Sequence, residues 1–286
     1  MKTANRSRLM LIASMAIFGT LAPFVRNIPV SSGELALYRA CLAAALIGLF
    51  LTVTGQKIQL RGLGRELPLL LLSGIAMGIN WILLFEAYKY TTVAAATLSY
   101  YFAPVIVTAV CPFLFREKLT KKQLICFVMS TIGLTLVIGI TNLTSGGNDL
   151  VGILFGLGAA VFYATVILLN KFIKGVAGIH RTFLQFLSAI VILIPYVLLT
   201  GGIHLGTLDG IGWCCLLIVG LVHTGITYCL YFSSLKELPG QQAAILSYID
   251  PLVAVIIGVA VLGEPLSWQQ LLGGGLILGF TLWNEL

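Results

Sequence analysis

The sequence predicts an all-α integral membrane protein of ten transmembrane helices, arranged as two inverted five-helix repeats. Three observations lead there: the shortage of charge, ten long apolar runs, and an internal repeat. Of the 286 residues, 59% are hydrophobic and 9% charged, against roughly 25% charged in soluble domains. A soluble globule with so few charges would expose apolar patches larger than monomers tolerate. Lipid removes that difficulty, so the bilayer is the first partner the composition implies.

A helix needs about 20 apolar residues to cross the hydrocarbon core. The runs place spans at 9–25, 35–53, 67–87, 92–115 and 123–140. A second set follows at 150–169, 182–200, 211–233, 243–262 and 268–283. The first run follows Lys2, Arg6 and Arg8 and resembles a signal peptide. It is longer than a usual apolar signal core, and further spans follow, so it reads as an uncleaved helix.

Charge placement orients the spans. With the N-terminus cytoplasmic, fourteen Lys and Arg collect on the inner side and only Arg26 and Lys89 on the outer, with Arg39 left inside the second span. Both termini are therefore expected in the cytoplasm of a bacterial cell, with the chain in its inner (plasma) membrane. The net charge of +7 follows this topology rule rather than marking a nucleic-acid partner. The six cysteines all lie in apolar segments without zinc or redox spacing. No metal, cofactor or disulfide framework is expected.

Tyr101, Pro104, Glu117 and Leu119 each match the residue type found 147 positions later, at Tyr248, Pro251, Glu264 and Leu266. Phe85 matches Phe232 at the same offset. The chain thus divides into halves, residues 1–145 and 146–286. Five helices per half force the halves into opposite orientations, the arrangement by which many carriers build two gates around a central site.

The segment Gly263-Glu264-Pro265-Leu266-Ser267-Trp268-Gln269-Gln270-Leu271-Leu272-Gly273 resembles the hallmark of the EamA family of the drug/metabolite transporter superfamily. The stretch Arg116-Glu117-Lys118-Leu119-Thr120-Lys121-Lys122-Gln123 is a weaker copy. The resemblance covers the whole chain. It implies a carrier with alternating access and a central cavity, whose substrates in this family include amino acids, nucleosides, sugars and vitamins, often moved outward. At the two helix ends, Glu117 and Glu264 have a structural reading: each carboxylate caps free N–H groups and complements the dipole of the helix that follows. Gating is the alternative.

Asp250 is the one acid deep within a span. Such a residue costs roughly 2.5–3.5 kcal/mol on insertion scales, so it should face the bundle interior or a watery cavity and hold an amine, a cation or a proton. A hydrogen-bonded structural acid is the plain alternative. Pro104 and Pro251 are expected to kink their helices. Tyr100, Tyr101 and Tyr248 lie at those kinks, with Trp81, Tyr163 and Tyr228 at comparable depth. Aromatic rings there stack on planar substrates or hold cations, or simply pack. Asn80 and His223 are polar groups for substrate or for helix-to-helix hydrogen bonds, and His223 is a candidate for proton coupling. Arg39 reads first as a structural ion pair with Glu34 or Glu86, or as a snorkelling side chain. If it reaches the cavity instead, it holds a carboxylate while Asp250 receives an amine. That combination suits an amino acid, with export favoured; nucleosides or cationic drugs are the alternative. Gly74/Gly78, Gly152/Gly156 and Gly275/Gly279 have the spacing of close-packed membrane helices, and the last pair leaves monomer and homodimer both open.

Enzyme motifs such as His-Glu-x-x-His, Gly-x-Ser-x-Gly or a phosphate-binding loop are absent from the sequence. No filter loop or polar ring of a channel or scramblase is visible either.

Overall fold

The computed structural model describes residues 2–56, 64, 66–115, 120–138, 147–176, 178–235, 238 and 246–286. Among them all regular structure is helical. Seven segments are long and apolar enough to cross a membrane by length and composition.

The first run is interrupted: α1 (Lys2–Gly19) ends and α2 (Leu21–Arg26) begins around Thr20. The break sits where the chain passes close to another helix. A Cβ on Gly19 would lie 2.6 Å from the Asp250 carbonyl oxygen and from Val253 Cβ. Helix α3 (Ser32–Val53) starts three residues before the apolar run, because Ser31 and Glu34 form a reciprocal capping box. Then α4 (Leu67–Tyr90) follows. It packs along α8 (Asn148–Phe172) and α9 (Gly178–Thr200). Gly74 makes the latter contact close, since a Cβ there would meet Ser188 Cβ at 2.5 Å.

The fourth run is interrupted by a two-residue turn. Helix α5 (Val93–Tyr100) stops, Tyr101 and Phe102 form a turn, and α6 (Ala103–Phe115) resumes. The ninth run repeats this: residues 246–247 are helical, Tyr248 turns, and α12 spans Ile249–Ala260. Pro104 and Pro251 therefore each fall in the first turn of a new helix, where a missing N–H removes no intrahelical bond. The expected kinks thus take the form of short turns just before each proline.

Helix α7 (Lys121–Ile138) packs against α13 (Trp268–Glu285). The two approach at Gly133 and Gly273, where an added Cβ would strike the opposite backbone. Gly275 and Gly279 meet nothing within 4 Å. In the eighth run, α10 (Gly210–Leu217) and α11 (Thr227–Leu235) flank nine residues of π-helix, Ile218–Ile226. Side chains satisfy its widened turns: the Thr224 and Thr227 hydroxyls donate to the carbonyls five residues back, at 2.8 and 2.7 Å.

Candidate functional site

The two helix breaks open onto one cavity of about 500 Å³. Its wall is drawn from α1 to α6, α8, α9, α11, α12 and the segment around Tyr248. Eight of the ten residues singled out for substrate contact line it: Arg39, Trp81, Tyr100, Tyr101, Tyr163, Tyr228, Tyr248 and Asp250. Pro104 lines it as well.

Asp250 stands in the first turn of α12, where the N-terminal end of the helix dipole favours a carboxylate. Tyr101 Oη donates to Asp250 Oδ2 at 2.5 Å. The two helix breaks therefore touch through one short hydrogen bond. Tyr100 stacks on Tyr163, ring centroids 5.2 Å apart at 28°, and meets Tyr101 edge-on. On the opposite wall Tyr228 packs against Phe186 and Phe18.

Arg39 does not form the ion pair that the sequence suggests. Glu34 is taken by Ser31, by the Tyr38 hydroxyl at 3.1 Å and by the His204 backbone N–H at 2.6 Å. Glu86 pairs with Lys89 at 3.1 Å. Arg39 is 4% exposed and points inward. Its guanidinium carbon lies 4.8 Å from the Trp81 ring centre and 5.5 Å from that of Phe85. Its Nε–H donates to Thr224 Oγ1 at 2.6 Å. The Thr224 proton is given to Val219, so an oxygen lone pair faces Arg39. Among the described residues no carboxylate pairs with Arg39, and its two terminal amino groups have no hydrogen-bond partner. The π-helix places this threonine, and nothing in an apolar run signals that register.

Two residues fall off the cavity wall. Asn80 donates to the Ala159 carbonyl at 2.7 Å and fastens α4 to α8. His223 Nε2 lies 3.0 Å from Thr20 Oγ1 and Nδ1 3.3 Å from the Ile218 carbonyl. It ties the π-helix to the break in the first run.

Glu264 caps a helix, but not the one that follows it. Ser267 and Gln270 cap α13 by their own reciprocal box. Glu264 Oε2 instead accepts the Val93 N–H at 2.7 Å, the start of α5, and Oε1 meets Arg26 Nη1 at 2.5 Å. Arg26 also donates to the carbonyls of Tyr88 and Thr91. One carboxylate thus fastens the ends of α2, α4, α5 and α12 together. Glu117 lies outside the described residues. Glu264→Ala is expected to lower stability by about 1–3 kcal/mol, because a half-buried cation and a helix N–H lose their acceptor. Glu264→Gln should recover the cap but not the ion pair. Thermal unfolding in detergent checks this: equal melting of all three proteins would remove the fastening role.

Sequence reasoning missed the polar wall near the starts of α9 and the end of α8, where Asn170, Arg181, Thr182 and Gln185 line the cavity. Gln185 is legible as an amide inside an apolar run, whereas Arg181 reads in the sequence as one more inner-side charge. Among the described residues no three His, Cys, Asp or Glu side chains cluster as metal ligands.

Long apolar helices packed around this cavity, with Arg39 and Asp250 on its wall, are the architecture of a multi-pass membrane protein. The sequence profile of the EamA-like transporter family matches residues 6–139 and again 150–284, and the chain belongs to that family. It is 30% identical over 276 residues to the uncharacterized transporter YxxF of Bacillus subtilis, covering 95% of this chain and 87% of the relative. An uncharacterized transporter of Archaeoglobus fulgidus is 30% identical over 281 residues, covering 96% and 95%. Protein PecM of Dickeya dadantii is 26% identical over 223 residues, covering 74% and 73%. A protein crystal structure shares the fold with a TM-score of 0.64 at 16% identity, over 96% of this chain and 94% of that one. Family and relatives make this chain a transporter and not an enzyme.

Proposed function

We propose that this transporter carries a small zwitterion, an amino acid above all, across the bacterial inner membrane by alternating access between two inverted five-helix halves. The observation that carries this reading is the pairing of opposite charges on one cavity wall. Among the described residues Arg39 has its terminal amino groups unengaged, and Asp250 faces the same space with the Tyr101 phenol as its side-chain partner. A zwitterion satisfies both, and the aromatic wall accepts an apolar or aromatic side chain. Nucleosides or cationic drugs are the second reading, favoured by the stacked Tyr100 and Tyr163; a buried guanidinium argues against a cation.

Export is the preferred direction. The end of the cavity near Tyr88 and Thr97 lies under the Glu264–Arg26 fastening. The cavity reaches the other way to Asn170 and Arg181, the side that the Lys and Arg bias assigns to the cytoplasm, along with both termini. Proton coupling, if present, rests on Asp250, since His223 is turned away from the cavity into helix contacts.

The test is counterflow. Proteoliposomes loaded with a pooled metabolite mixture are followed by mass spectrometry. Saturable exchange of a few amino acids is the expected result. Exchange confined to nucleosides or cations would replace the substrate class, and unselective leakage would remove alternating access in favour of a channel.

A further inference from the structure

We infer that the cavity holds a second, anion-binding subsite, built by Arg181 and Asn170 at the end remote from Glu264, where a substrate carboxylate is captured before it reaches Arg39. This rests on the carrier reading above but concerns different residues.

The geometry begins with Gln185, which is 1% exposed and lines the cavity. Its amide donates to Ser73 Oγ at 2.7 Å and to Asn170 Oδ1 at 2.8 Å. Both protons of that amide are used, and the acceptor side of Asn170 is thereby occupied. The Asn170 Nδ2 group is left as the unengaged end, with two N–H donors and no partner among the described residues. Beside it, Arg181 Nη1 donates to the Asn170 carbonyl at 3.2 Å and reaches toward the Ile173 carbonyl at 3.5 Å. These are the last carbonyls of α8, so Arg181 completes a helix end. That role uses one of its three nitrogens. Among the described residues no carboxylate lies within ion-pair reach of it. A guanidinium and an amide N–H2 presented side by side to a cavity make a donor set for a carboxylate.

The subsite is separate from Arg39. Helices α3 and α9 run antiparallel: Gly33 abuts Tyr196 and Val197, while Gly48 abuts Phe183. Arg39 therefore lies level with about residue 191 of α9. That is about ten residues, or roughly 15 Å, from Arg181 at 1.5 Å per residue. One amino-acid backbone spans only about 3.6 Å, so the two guanidiniums serve in succession rather than together. With two cations and one acid on its described wall, the cavity also favours anionic groups at the Arg181 mouth, which concentrates carboxylates there.

The experiment uses the full chain in nanodiscs with 19F NMR, with 3-(4-fluorophenyl)propanoate as the carboxylate probe and 4-fluorophenethylamine as the amine probe. Empty nanodiscs correct for lipid partitioning. In an Arg39→Gln background the carboxylate probe is expected to remain bound, and adding Arg181→Gln should weaken it at least tenfold. Asn170→Asp should do the same while keeping the acceptor that Gln185 needs, which guards against a folding artefact of Arg181→Gln. Arg181→Lys should preserve binding in part, and amine binding should not fall in any of these variants. Loss of all carboxylate binding in Arg39→Gln alone would overturn the subsite. So would binding unchanged by Arg181→Gln and Asn170→Asp, or a change in melting temperature without a change in binding. If Arg39→Gln leaves binding as in wild type while Arg181→Gln removes it, the subsite stands and the central role of Arg39 falls.

Discussion

Asp250→Asn is expected to lower apparent affinity for amine-bearing substrates by about 10- to 150-fold. The substitution is isosteric and keeps an oxygen for the Tyr101 hydroxyl, so the contact between the two helix breaks survives. What disappears is the negative charge. A hydrogen bond to a charged group is worth about 1.5–3 kcal/mol, and each 1.4 kcal/mol is tenfold. Amines without a carboxylate should lose as much as amino acids do, while carboxylates without an amine should be spared. Tyr101→Phe should give a smaller loss of the same kind, because it removes orientation but not charge. Counterflow with matched amine, carboxylate and zwitterion series measures all three. Retained binding with loss of pH dependence would reassign Asp250 to protons. No change in either would leave it a structural acid.

Thr224→Val should raise the apparent KM for carboxylate-bearing substrates about tenfold with little change in maximal rate, and Thr224→Ser should restore it. Valine matches the shape of threonine but removes the oxygen that accepts from Arg39 Nε. It also strips the Val219 carbonyl of its hydroxyl donor inside the π-helix. Each buried group left unsatisfied costs about 1–3 kcal/mol. Arg39 then keeps only its contacts with the Trp81 and Phe85 rings, which do not set the direction of its amino groups. Thr224 is thus a positioning residue for Arg39. A general folding defect would instead lower the maximal rate for every substrate alike, and serine would not rescue selectively.

An arrangement of helices does not set a substrate, so specificity has to reside in individual side chains of the cavity. Here the charged pair, the stacked tyrosines and the Asn170–Arg181 corner come from five different helices. The Glu264 fastening is of another kind. It meets the cavity wall only through the Tyr88 carbonyl, which accepts from Arg26, and it joins four helix ends.

By itself the sequence determined the solvent of each segment. Sparse charge and long apolar runs require lipid, and an acid at Asp250 or an arginine at Arg39 within such a run requires an interior partner. The prolines at 104 and 251, spaced with their tyrosines, marked two of the places where helix is interrupted. Those features are local, because the cost of exposing charge or losing an N–H is incurred wherever the residue goes. Only the tertiary structure decided who meets whom. An apolar stretch such as Ile218–Ile226 reads alike in α or π register, so the placing of Thr224 against Arg39 was invisible. Glu264 was recognisable as a cap, yet the N–H it caps belongs to α5, 171 positions away in the chain. Arg181 counted as one more inner charge until Gln185 and Asn170 were seen beside it. Hydropathy records the free energy of moving a side chain out of water. Partners are chosen by how closely helices approach, and that is set by residues such as Gly19 and Gly74 whose own hydropathy carries no such message.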